Sequence, residues 1–202
     1  GHAHDDVPIW HVIRDPRVVA LIVACALMAV AHGPYYTFYS LYLVDHGYTK
    51  GAVGWLWSVG VICEIAIFFW MAHLFRAFTL RQVLVASFAL AAVRFAIIAW
   101  CADYLWLLLI AQTLHAASFG SFHAAALGYV HRFFSGRHQA RGQAIYTSLS
   151  FGLGGTLGGV YAGYAWQHFG AGITFSGAAL CALTGMLILW RRLGHTGTAP
   201  LS

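Results

Sequence analysis

Six apolar runs, separated by polar stretches too short to form more than turns, constrain this chain more than any other feature. A bilayer core about 30 Å thick takes about 20 apolar residues of helix to cross. The runs lie near 18–44, 51–75, 80–102, 104–131, 143–168 and 171–190. Between them stand Asp45 to Lys50, Arg76 to Arg81, Asp103, His131 to Gly142 and Gln167 to Gly170. Linkers this short force consecutive helices to run antiparallel. The sequence therefore predicts an all-α integral membrane protein, a six-transmembrane-helix bundle over 17–193, with a cytoplasmic linker over 1–16 and a cytoplasmic tail over 194–202.

Composition agrees. Charged residues make up 8% of the chain and hydrophobic ones 60%, whereas a soluble domain carries about 25% charged residues. So few charges cannot cover a wetted surface, so most of the exterior faces lipid. The pI near 9.2 does not point to nucleic acid, because the basic residues form no stripe interleaved with aromatics. Cys25, Cys63, Cys101 and Cys181 fall in or at the ends of apolar runs without C-x-x-C spacing and read as packing residues. The polar N-terminus has no apolar h-region, which argues against a signal peptide. Its His2-Ala3-His4 could bind metal by its spacing but reads as an unstructured or tag-derived stretch instead.

Lysine and arginine placement orients the bundle. One side collects Arg14, Arg17, Arg76, Arg81, Arg132, Arg137, Arg141, Arg191 and Arg192; the other has Lys50. This bias places both termini in the cytoplasm. Within the fifth run, Gly154, Gly155, Gly158, Gly159 and Gly163 recur at i and i+4, a pattern that lets helix backbones approach closely in lipid. In the first run, His32-Gly33-Pro34 lies mid-membrane, where a missing backbone donor predicts a kink or break. Tyr35, Tyr36, Tyr39 and Tyr42 follow it with polar aromatic tips.

Ionisable groups at mid-membrane carry the chemistry, because each costs about 2.5–3.5 kcal/mol or more at a helix centre and needs a partner. They are His32, Glu64, Arg94, His115 and His123. Helical rise places Glu64 ~16 Å in from Phe75, Arg94 ~21 Å in from Leu80, and His115 ~16 Å in from Tyr104. At one depth, on consecutive helices, Glu64 and Arg94 are expected to form an ion pair, with His115 within reach. That pair reads either as a clamp between helices or as a protonation site in which Arg94 holds the Glu64 charge. His123 extends the polar path inward, and Tyr35, Tyr36, Tyr39 and His123 are the expected substrate-cavity residues. The chain holds no H-E-x-x-H, no G-x-S-x-G and no glycine-rich loop ending in Lys, so enzymatic or nucleotide-driven chemistry has no support and no cofactor or metal is expected.

Several segments together resemble the C-terminal half of a major facilitator superfamily transporter. They are Ala31-His-Gly-Pro-Tyr-Tyr-Thr-Phe-Tyr39, Trp55-Leu-Trp-Ser-Val-Gly-Val-Ile-Cys-Glu64, Ala-Ala-Val-Arg94-Phe, Gln112-Thr-Leu-His115 through His123, and Arg141-Gly-Gln-Ala-Ile-Tyr146 into the glycine run. More narrowly the chain resembles the 3-phenylpropionic acid transporter family and its lactose permease and nucleoside:proton symporter relatives. The resemblance implies half of a twelve-helix fold, partnered by an N-terminal six-helix half and placed in a bacterial inner membrane. It implies proton symport of a small organic solute such as an aromatic carboxylic acid. A sugar or nucleoside is the rival solute, and a non-transporting scaffold or sensor the rival class. It also implies that Glu64, Arg94 and His115 match the acidic, arginine and histidine positions of the lactose permease coupling network. The chain departs from that network in carrying Ser118 where a second carboxylate follows the histidine. Its loop Arg76 to Arg81 also lacks the superfamily's acidic-plus-basic signature.

Overall fold

The computed structural model describes residues 8–194; residues 1–7, with His2 and His4, and 195–202, nearly all of the expected tail, lie outside the described residues. The long apolar helices are Pro16–Asp45, Lys50–Ala77, Leu80–Trp100, Leu105–Phe133 and Gly136–Arg192. Their starts are written locally. Asp15 accepts from the Arg17 amide at 2.8 Å ahead of a proline in the first turn. The hydrogen bond from the Arg17 side chain holds the Asp15 carboxyl below its ordinary value. Thr49 caps the second helix through the Ala52 amide at 3.2 Å. Thr79 and Gln82 close a reciprocal capping box on the third.

The last helix is two passes. Gly170 has φ 78° and ψ 178°, a backbone open to glycine and strained for any other residue. The Tyr161 hydroxyl donates to the Thr174 carbonyl at 2.8 Å, although 13 residues of straight helix would separate them by about 20 Å. The chain therefore reverses at Gly170, and residues 136–170 and 171–192 are the fifth and sixth spans. Contacts at the two ends fit alternating passes. At one end Arg81 Nη2 donates to the Trp190 carbonyl at 2.9 Å and Arg17 lies 5.6 Å from the Phe133 ring centre. At the other the Tyr48 hydroxyl donates to the Ala102 carbonyl at 2.8 Å, and His46 lies 4.0 Å from Asp103.

The first span is the hub, packing on the fourth, fifth and sixth. The second is peripheral and touches the fourth more than the third. The expected break at His32-Gly33-Pro34 is not there: the helix runs through Pro34 from Pro16 to Asp45. Pro34 removes the bond that the Val30 carbonyl would accept, and the fifth span covers that position with glycine. A Cβ built on Gly158 would lie 2.9 Å from Val30 Cα and 3.0 Å from its oxygen. A Cβ on Gly33 would fall on the Gly158 carbonyl, and one on Gly154 would lie 2.8 Å from the Ala26 oxygen. The glycine run thus divides. Gly154 and Gly158 meet the first span, whereas a Cβ added to Gly155, Gly159 or Gly163, about 100° further round the helix, would meet no other element of the described residues within 4 Å. Among the described residues the close approach rests on Gly154 and Gly158.

Gly158→Ala should accordingly destabilise the purified protein by about 1–3 kcal/mol, the usual range for overpacking. Gly159→Ala should change it little. Thermal unfolding in detergent compares them, and equal losses would refute the assigned crossing.

Candidate functional site

Arg94, from the middle of the third span, is fully buried at 0% exposure. Its Nη1 donates to His115 Nδ1 on the fourth span. Guanidinium is donor-only, so that imidazole nitrogen carries no proton. The guanidinium carbon lies 4.4 Å from the Tyr35 ring centre and 4.5 Å from that of Phe95, a cation held against two π faces. Nε and Nη2 of Arg94 have no hydrogen-bond partner among the described residues. His32 completes the wall, its ring centre 5.1 Å from Phe95, 5.0 Å from Phe119 and 6.0 Å from His115.

A second polar contact fixes the site. The Tyr35 hydroxyl donates to Gln112 Oε1 at 3.1 Å, and Gln112 Nε2 donates to the Leu56 carbonyl at 2.8 Å. One buried amide thereby ties the first, second and fourth spans. Gly60 makes room for it, since a Cβ there would sit 3.2 Å from Gln112 Nε2. Directly after His115 the fourth span widens into a π-helical stretch, Ala116–Gly120, where Ser118 Oγ donates back to the Leu114 carbonyl at 2.7 Å. The fifth span carries another at Ser148–Leu153. Such widened turns re-aim the residues around them and recur at functional sites.

The expected residues do not all meet. Arg94 and His115 join as expected. The Glu64–Arg94 ion pair is absent: among the described residues the ion pairs are Arg17–Asp15 and His46–Asp103. Helical rise set an expected depth for each group but gave no direction for its side chain. The second span sits against the fourth, so Glu64 lies half-buried beside Gly120, its Cγ 3.8 Å from where a Cβ there would stand. The four expected cavity residues part likewise. Tyr35 and Tyr39 are sealed inside, Tyr36 is 56% exposed, and His123 is half-buried against Phe119 and Phe151. A groove of about 590 Å³ lies elsewhere, lined by residues such as Trp70, His73, Phe78, Ser87 and Ser121. The residues that reading missed are Gln112, Phe95, Phe119 and the π stretch. Gln112 was the findable one, a polar side chain one turn before His115 in a span that must satisfy it internally.

A bundle of membrane-crossing helices closed around a buried arginine defines a multi-pass integral membrane protein with a polar centre. The chain belongs to the MFS_1 like family of major facilitator transporters, which it matches over residues 2–177. It is 36% identical over 166 residues to the probable 3-phenylpropionic acid transporter of Escherichia coli (strain K12), an alignment covering 82% of this chain and 43% of that relative. The chain thus spans less than half the length of the curated relative it matches. No solved structure matches it at a significant level.

Gln112→Leu should lower stability by about 1–3 kcal/mol, because it strands the Tyr35 hydroxyl in a dry interior and removes the tie to the Leu56 carbonyl of the second span. Pairing it with Tyr35→Phe should recover part of the loss in a double-mutant thermal-unfolding cycle. Strict additivity would show that the two groups do not depend on each other.

Proposed function

We propose that this chain is the C-terminal six-helix half of a secondary active transporter that carries a small organic anion together with protons. The solute class is an aromatic carboxylic acid of the 3-phenylpropionate type. The membrane is a bacterial inner membrane with both ends of the chain cytoplasmic. The observation that carries this reading is the buried guanidinium of Arg94, which among the described residues has two nitrogens unpartnered and no carboxylate paired to it. A buried cation in that state is expensive until an anion completes it. A carboxylate supplies the missing acceptors, and the Tyr35, Phe95 and Phe119 rings suit an aryl chain. The name of the curated relative supports the same class.

Glu64 is the proton-accepting carboxyl in this reading, half-buried at the edge of the polar centre and held by no cation. His115 reports the other charge state, since it can hold Arg94 through Nδ1 only while that nitrogen is unprotonated. The remaining helices of a twelve-helix transporter complete the cavity and share the choice of solute. The activity is transport, not catalysis.

Uptake tests this. In vesicles bearing the twelve-helix transporter with this six-helix unit intact, 3-phenylpropionate should accumulate under a proton gradient. Arg94→Gln should lower uptake about tenfold to a hundredfold, the worth of one charged hydrogen bond. Arg94→Lys should not restore it, because a point charge lacks the planar fork. Glu64→Gln should remove the dependence on the gradient. Uptake of a sugar or nucleoside instead, or of none of the three, would replace this reading with a rival solute or a scaffold.

A further inference from the structure

His32 is the one buried ring of the polar centre whose tautomer is fixed by the backbone. Its Nδ1 lies 2.8 Å from the Met28 carbonyl, an acceptor, so Nδ1 carries the proton. In the neutral ring Nε2 is then a bare acceptor. It is buried in a residue 2% exposed and has no hydrogen-bond partner among the described residues. A buried acceptor left unmade is a penalty that the surrounding fold must carry, and it stands among the same residues that leave Arg94 with two unmade donors. Two free donors and one free acceptor are what a carboxyl group and one proton together satisfy. The carboxylate takes the guanidinium hydrogens, and the added proton sits on Nε2 and faces the carboxylate.

We propose that His32 carries the co-transported proton directly against the bound carboxylate. This rests on the anion reading above and adds where the proton resides. In the step, a proton that Glu64 has accepted from the aqueous phase passes to His32 Nε2, leaving Glu64 as carboxylate and giving an imidazolium, and the solute carboxylate binds between that ring and Arg94. No bond of the solute is broken. A protonated His32 without the anion would set two cations in one dry pocket. The anion without the proton would leave Nε2, an electron-rich acceptor, facing a carboxylate. Each species therefore makes room for the other, and solute and proton load one for one.

The titratable groups around His32 are few. Its own helix supplies Tyr35 and Tyr36, whose rings lie 6.3 Å and 5.9 Å away. The third span supplies Arg94, and the fourth His115 and His123. The second span brings Glu64 within electrostatic range of Tyr35 and Tyr36. The fifth span meets the neighbouring Gly33 with the backbone of Gly158.

The test is proton uptake on binding. The twelve-helix transporter bearing this six-helix unit, purified in lipid nanodiscs, is titrated with 3-phenylpropionate in two buffers of different ionisation enthalpy. We expect about one proton taken up per ligand, with affinity weakening about tenfold per unit rise in pH. In His32→Asn the amide keeps a donor for the Met28 carbonyl and removes Nε2, and proton uptake and pH slope should both vanish. His168→Gln, on the exposed fifth span, should keep both. Proton uptake that survives in His32→Asn, or that vanishes in Glu64→Gln while His32→Asn keeps it, overturns the assignment. Should the variant not fold, nitrogen NMR of wild-type His32 decides. Nε2 moving to an imidazolium shift on ligand addition supports the proposal, and an unchanged Nε2 sinks it. Binding with no proton uptake overturns the His32 role and leaves anion binding standing. No binding at all removes the anion reading itself.

Discussion

A guanidinium that cannot lose its proton has been placed at the centre of a structure built for lipid, and the arrangement of the other spans answers to it. Arg94 requires an acceptor, which His115 provides, and π faces, which Tyr35 and Phe95 provide. Those groups must be brought in from the first and fourth spans and held there. Gln112 performs that holding by fixing Tyr35 on one side and the backbone of the second span on the other. The aromatic packing then follows, with His32 edge-on to Phe95 and tilted against Phe119, and Phe119 stacked on His115. Removing the arginine in thought leaves little reason for so many polar tips to converge in one layer.

The bilayer explains why the number and length of the helices could be read from sequence. Thickness sets a fixed count of apolar residues, and short linkers set the alternation. The same physics explains where reading stopped. Helical rise gives the depth of Glu64, Arg94 and His115, but says nothing about which way each side chain points or which helices are neighbours. Sequence order suggested that the second and third spans touch; in space the fourth lies against the second instead, and the Glu64–Arg94 contact is lost.

The helix around Pro34 and the fifth-span glycines show a related limit. Proline frees a carbonyl, and a lone helix would bend or break there. The helix instead continues, and the fifth span packs over Val30 at Gly158. Nothing within the first span announces its partner. The glycine pattern announced a close approach but not which face of it is used, and i and i+4 spacing permits both. The π-helical stretches after His115 and before Gly154 left no sequence mark, since a widened turn is a property of packing and of serines bonding back to the helix.

The reversal at Gly170 bears on how the last two spans enter and move in the bilayer. With the turn confined to a single glycine between one helix and the next, neither helix has slack to change depth without the other. They are laced further by Tyr161, whose hydroxyl reaches across to Thr174. A ribosome-bound chain would have to deliver both to the lipid as one hairpin, because the fifth span has no tether long enough to wait for the sixth. Any later tilt of the bundle must carry the pair together as a rigid fin.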